Sequence, residues 1–188
     1  MPEGEQTQAD IIREERVDAA LSRLHESMFA TLDLKGELEK TPPLAPERRE
    51  ITPMEANILT ERVAELRSRV ISWDRRRGSN YVWKQKPFTI VSTDPSAPEA
   101  TRKDPLLEVK VKTEDDSPNI SVGYCLGKTD SDRTLDFVVS FKGTDGHGPI
   151  SYIRRKKKVV DLNPDEFEVA TYVLDRAIVR VPKRKFNI

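Results

Sequence analysis

Nucleophilic catalysis needs a Ser, Cys or Thr beside a base that a third group orients, and the chain offers little that fits. Its one thiol, Cys125, closes the run Tyr124-Cys125-Leu126, where a small core residue is expected. The two histidines, His25 and His147, lie far apart in the sequence, so a sequence-local zinc cluster is excluded, and a single cysteine forms no internal disulfide. His147 stands in Gly143-Thr144-Asp145-Gly146-His147-Gly148, which lacks the Gly-Lys-Ser/Thr ending of a phosphate loop and opens no helix. Asp115-Asp116 and Asp165-Glu166 fall in a turn and in a helix first turn, where carboxylates are favoured for local reasons, and the calcium-loop spacing Asp-x-Asp-x-Asp-Gly is absent. The expectation is a protein that is not an enzyme, with no catalytic residues, no metal, no cofactor and no small-molecule substrate.

The cations carry a stronger signal. Lys+Arg and Asp+Glu both number 32, so the formal charge is zero. Yet residues 67–86 carry a net +6, residues 154–158 a net +5 and residues 176–185 a net +5, which leaves −16 elsewhere. The first block sets Arg75, Arg76, Arg77, Lys84 and Lys86 among Trp73, Tyr81 and Trp83. Cations of this kind neutralise phosphates and the rings stack on unpaired bases; the same aromatics equally suit a core edge covered by arginine stems. Arg154-Arg155-Lys156-Lys157-Lys158 places five cations in succession on a strand, whose side chains alternate between faces. Such a segment belongs to an edge or an overhang, where lysine also prevents sheet-to-sheet pairing. Joined on one surface, the blocks 67–86 and 154–158 would suit an anionic partner. Lys183, Arg184 and Lys185, following Pro182, form a candidate nuclear import signal.

Positioning these groups requires an α+β chain. Residues 1–9 are polar and read as a disordered lead-in. Val17, Leu21, Leu24, Met28 and Leu32 recur at 4, 3, 4 and 4, predicting a helix over about 11–32. The proline-containing stretch 33–52 is a linker. Thr52-Pro53-Met54-Glu55 is a capping box with proline at the first helical position, and it opens a helix over about 53–76 with a seam of Leu59, Val63, Leu66, Val70 and Trp73. Residues 10–77 thus read as a helical arm. From 78 the period is two: Leu107, Val109 and Val111, then Ile120, Val122 and Tyr124, then Leu135, Phe137, Val139 and Phe141. Adding single strands at 81–92 and 150–162 gives about five, a small antiparallel sandwich or partly open barrel over 78–188. Asn163-Pro164-Asp165-Glu166 opens a short helix to about 175, followed by an edge strand over 178–181.

Seams on both helices must pack on each other, on the β domain or on another chain. The functional expectation is therefore a non-catalytic subunit of a multiprotein assembly, nuclear or else cytoplasmic. In it, Val17 to Leu32 and Leu59 to Trp73 receive partner helices, and hetero-oligomer is favoured over homo-oligomer. A nucleic-acid-binding module built on the basic blocks, and a viral structural protein, are the alternatives. No apolar run approaches the ~20 residues of a membrane span, and the acidic start is unlike a secretory signal.

Overall fold

The computed structural model describes residues 6–33, 50–74, 80–96, 105–112, 118–127, 129, 132–142 and 150–184; within these, the side chains of 28–33, 150 and 153–156 lie outside the description. Each of the three helices begins with a reciprocal cap that satisfies its first orphan N–H groups. In α1 (Gln8–Asp33), Thr7 and Asp10 exchange backbone-to-side-chain bonds of 3.1 and 3.2 Å. The corresponding pair in α2 (Pro53–Trp73) is Thr52 with Glu55, and in α3 (Pro164–Arg180) Asn163 with Glu166, each followed by proline at the first helical position. The predicted capping box at 52–55 is therefore present, and the helix start expected at 163–166 is one as well.

Six strands follow α2: β1 (Asn80–Gln85), β2 (Phe88–Thr93), β3 (Leu107–Val111), β4 (Asn119–Cys125), β5 (Thr134–Phe141) and β6 (Ile150–Lys158). They pair in sequence order as one antiparallel meander with β1 and β6 at its edges. The α+β class, with two N-terminal helices, an antiparallel sheet and a C-terminal helix, is as expected. The sheet is a single open layer and not a sandwich. The predicted strand 81–92 is two strands, because Pro87 has no N–H for a ladder and sits instead in the two-residue turn between Gln85 and Phe88.

Trp83, Ile90, Val109, Val122 and Phe137 stand in one cross-strand row, and Phe88, Val111, Ile120, Val139 and Tyr152 in the next. All three helices lie on this apolar face. α3 lies between α1 and α2, α2 leans on β1 and β2, and α1 reaches β6. Leu24, Leu59, Phe137 and Leu174 consequently belong to one shared core, so α1 and α2 are not an arm standing off a β domain. The short helix and edge strand expected at the C-terminus are one helix of 17 residues, and Ile178 and Val181 are buried by it. Burial on both flanks and on the sheet side overrides the strand propensity of its Val and Thr residues. β6 ends at Lys158, and a 3-10 turn (Val159–Asp161) leads into α3. α1 begins at Gln8, so positions 8 and 9 of the expected lead-in are helical; residues 1–5 and the linker positions 34–49 lie outside the described residues.

Candidate functional site

The helical seams point into this core. Val17, Leu24, Leu59, Val63, Leu66 and Val70 are buried, and Leu21 packs against them. This corrects their assignment as surfaces for partner helices: α3 and the sheet of the same chain cover both stripes. Trp73 is exposed, with its indole N–H donating to the Pro182 carbonyl. The side chains of Met28 and Leu32 lie outside the described residues.

Several of the cations hold the fold. α2 and α3 run parallel, joined at their starts by the Ile51 N–H donating to the Leu162 carbonyl at 3.2 Å. Their C-termini therefore meet, concentrating unpaired carbonyls and negative dipole ends. Arg69 donates from Nη1 to the carbonyls of Ile178 (2.5 Å) and Val181 (3.0 Å) while Nη2 bonds Glu65 at 2.7 Å. Arg184 donates to the Ser72 carbonyl at 3.2 Å. Arg184 is thus half-buried and engaged, Lys183 beside it is exposed, and Lys185 lies outside the described residues.

β6 carries one extra residue between Arg154 and Lys157, opposite Leu135 and Phe137. This bulge breaks the expected alternation of the five cations and brings Lys157 to the core side with Tyr152. There Lys157 Nζ, the Tyr152 hydroxyl and the Asn163 N–H converge on the Glu166 carboxylate at 2.9, 2.6 and 3.0 Å. Lys158 is exposed, 3.8 Å from Asp132. Lys84 and Lys86 are exposed on and beside β1. Lys84 of β1 and Lys157 and Lys158 of β6, described cations of the two blocks, stand on opposite edge strands of the sheet, five strand spacings or about 24 Å apart along it. The side chains of Arg154, Arg155 and Lys156, and residues Arg75, Arg76 and Arg77, lie outside the described residues.

Cys125 is buried, and His25 sets its ring edge-on to Phe141 with centroids 4.6 Å apart, both in keeping with packing roles. His147 and Asp115-Asp116 lie outside the described residues. Among the described residues no group of His, Cys, Asp and Glu is arranged to hold a metal ion, and no helix is long and apolar enough to cross a membrane.

What the fold does leave open is a groove of about 480 Å³ above α3, walled by Ile12, Arg13 and Arg16 of α1 and by Ile58 and Arg62 of α2, with Phe167, Glu168 and Asp175 on its floor. α1 runs antiparallel to α3, so charges on its inner flank meet acids spaced along α3. Arg23 pairs with Asp165 at 2.7 Å, Arg16 with Glu168 at 2.7 Å and Arg13 with Asp175 at 2.6 Å. The Asp165 hydrogen bonds raise the pKa of Arg23 further above its ordinary value. Asp175 is also reached by Arg62 from the opposite wall at 2.8 Å, which ties all three helices at one carboxylate. Tyr172 lies under the guanidiniums of Arg13 and Arg176, 5.7 and 5.4 Å from its ring centre, and burial pushes its hydroxyl pKa up.

Against this polar lattice, Ile12 and Ile58 remain 49 % and 37 % exposed, and Met54, one turn before Ile58, is also exposed. Two of the groove's wall residues carry a signal in the sequence that the seams do not include: Ile12 and Ile58 are large aliphatics lying off the buried stripes Val17–Leu24 and Leu59–Val70. The arginine pairings carried none, because their partners are more than 100 residues away. Compared with protein-family models, with characterised proteins and with solved structures, the chain matches none.

Proposed function

We propose that the protein is a non-catalytic interaction subunit of a multiprotein assembly, and that it receives a helix of a partner chain in the groove between α1 and α2. The observation that carries this reading is the exposure of Ile12 and Ile58 on facing walls of one groove. Isolated surface aliphatics are ordinary, but apolar side chains that converge on a concavity rimmed by charge mark recognition sites. Neighbouring helices pack 8–10 Å apart, and a partner helix laid above α3 would make a second layer by ridges entering grooves. Such a partner reads as apolar residues at i, i+3, i+4 and i+7. The subunit role expected from the sequence is kept, while its contact surface moves from the buried seams to the outer side of the helical layer.

The test is selection from a displayed library of amphipathic helical peptides on the full chain and on Ile58→Asp. Helices enriched on the full chain and lost on the variant support the reading. Failure to enrich any helix above the Ile58→Asp background refutes it.

A further inference from the structure

The charge around the groove is layered. The acids lie low: the Glu168 and Asp175 side chains are 19 % and 24 % exposed. The arginines that meet them stand at the rim, with Arg16 63 %, Arg62 43 % and Arg13 36 % exposed. Although these pairs cancel formally, a ligand entering from solvent meets the guanidiniums first.

Those guanidiniums also keep bonding capacity. Each presents five N–H donors. Arg16 spends only Nη2, giving bonds of 2.8 and 2.7 Å to the two oxygens of Glu168, and Arg13 likewise hydrogen-bonds Asp175 through Nη2 alone, at 2.6 Å. Their Nε and Nη1 groups make no hydrogen bond within the described residues. A carboxylate beside them would complete bidentate, charge-assisted contacts without displacing the internal acids.

Resting on the reading of the groove as a helix site, we infer that its occupant is an acidic amphipathic helix. Its apolar stripe covers Ile12, Ile58 and Phe167, and Asp or Glu residues on its flanks meet Arg16 and Arg13 on one side and Arg62 on the other. The aliphatic walls disfavour a nucleic-acid backbone, which would gain the arginines but leave Ile12 and Ile58 with nothing apolar to cover them.

The experiment uses three fluorescein-labelled helical peptides with the same leucine stripe and flanks of Glu, Gln or Lys, titrated by anisotropy into the full chain. The expected order is Glu, then Gln, then Lys. Arg16→Gln should weaken the Glu peptide roughly threefold to fivefold and leave the Gln peptide unchanged, the size of one exposed charge contact. Salt should erode only the Glu peptide's advantage. Ile58→Asp should weaken the Glu and Gln peptides about tenfold or more, as loss of a buried anchor does. Equal binding of the three peptides, all sensitive to Ile58→Asp, overturns the acidic assignment and leaves the helix site standing. Insensitivity of every peptide to Ile58→Asp overturns both. Sedimentation of the protein alone is the remaining arm: a dimer abolished by Ile58→Asp gives the groove to a second copy and overturns the assignment.

Discussion

Glu166 is the side chain on which the junction of sheet and helix depends. Its side chain is fully enclosed. It accepts from the Tyr152 hydroxyl of β6 at 2.6 Å, from Lys157 of the bulge at 2.9 Å and from the Asn163 N–H at the start of α3 at 3.0 Å. Replacing it with alanine takes the acceptor from a buried tyrosine hydroxyl, at about 1–3 kcal/mol, and removes half of a capping box, at about 1 kcal/mol. Lys157 keeps 25 % of its side chain in solvent and turns outward at little cost. The expected loss is about 2–4 kcal/mol, reaching the lower end for breaking a buried pair. At about 2–4 °C per kcal/mol for a chain of this size, the melting temperature should fall by roughly 10 °C. Glu166→Gln keeps one carbonyl acceptor and should lose about half as much. Urea unfolding followed by circular dichroism measures both, and a double-mutant cycle with Tyr152→Phe should return a coupling of about 1 kcal/mol or more. A loss below about 1 kcal/mol for Glu166→Ala, the value of a solvent-exposed cap, would refute the reasoning. So would simple additivity with Tyr152→Phe.

What could be read from the sequence was local. Thr52-Pro53-Met54-Glu55 and Asn163-Pro164-Asp165-Glu166 start helices because cap and first turn lie within four residues. The cap of α1 was not predicted because Thr7 lies inside the stretch 1–9 read as disordered, and because Asp10 takes the third helical position, where the capping box usually has glutamate. Strand rows such as Leu107, Val109 and Val111 were legible because one face of the sheet meets the core and the other carries polar residues such as Glu108 and Lys110. α3 was misjudged for a different reason: its buried residues Val169, Ala170, Val173, Leu174 and Ala177 keep helical spacing, but the β-prone Val169, Thr171, Tyr172 and Val173 argue locally for a strand, and only burial against distant elements decides for the helix.

The seams show a different kind of limit. Their spacing states that something apolar must cover Val17 to Leu24 and Leu59 to Val70, but covering is a relation between distant segments. The same holds for charge. The zero net charge resolves into pairs that cross the whole chain: Arg13, Arg16 and Arg23 meet Asp175, Glu168 and Asp165, each more than 140 residues away. Arg69 of the first basic block and Arg184 of the third answer the carbonyls at the C-terminal ends of α3 and α2. Local blocks of cations therefore overstated what is available to a partner. The two isoleucines outside the stripes are among the large apolar residues that the fold leaves exposed, and the two that line one groove.

Two further predictions follow from the backbone and from the caps. A Cβ at Gly127 would overlap both the Cβ and the carbonyl of Asp132, whereas a Cβ at Gly123 meets only Asp136 and Pro105 carbons at 3.5–3.7 Å. Gly127→Ala should therefore destabilise by about 2 kcal/mol or more and Gly123→Ala by less than about 1 kcal/mol in the same urea assay. The second prediction concerns pH. Bonds from the Thr7 hydroxyl and N–H hold the Asp10 carboxyl below its ordinary pKa. A depressed folded value means that the ionised form favours folding. The contribution is complete above the ordinary aspartate value of about 3.9 and is lost as pH falls through the lower folded value. Thermal melts of the full chain and of Asp10→Asn should differ by a constant amount from about pH 5 to 7, and the difference should close in stronger acid. A gap that survived in acid strong enough to protonate the carboxyl in the folded chain as well as in the unfolded one would show that Asp10 stabilises α1 by something other than its charge, and the cap geometry would lose its explanatory role.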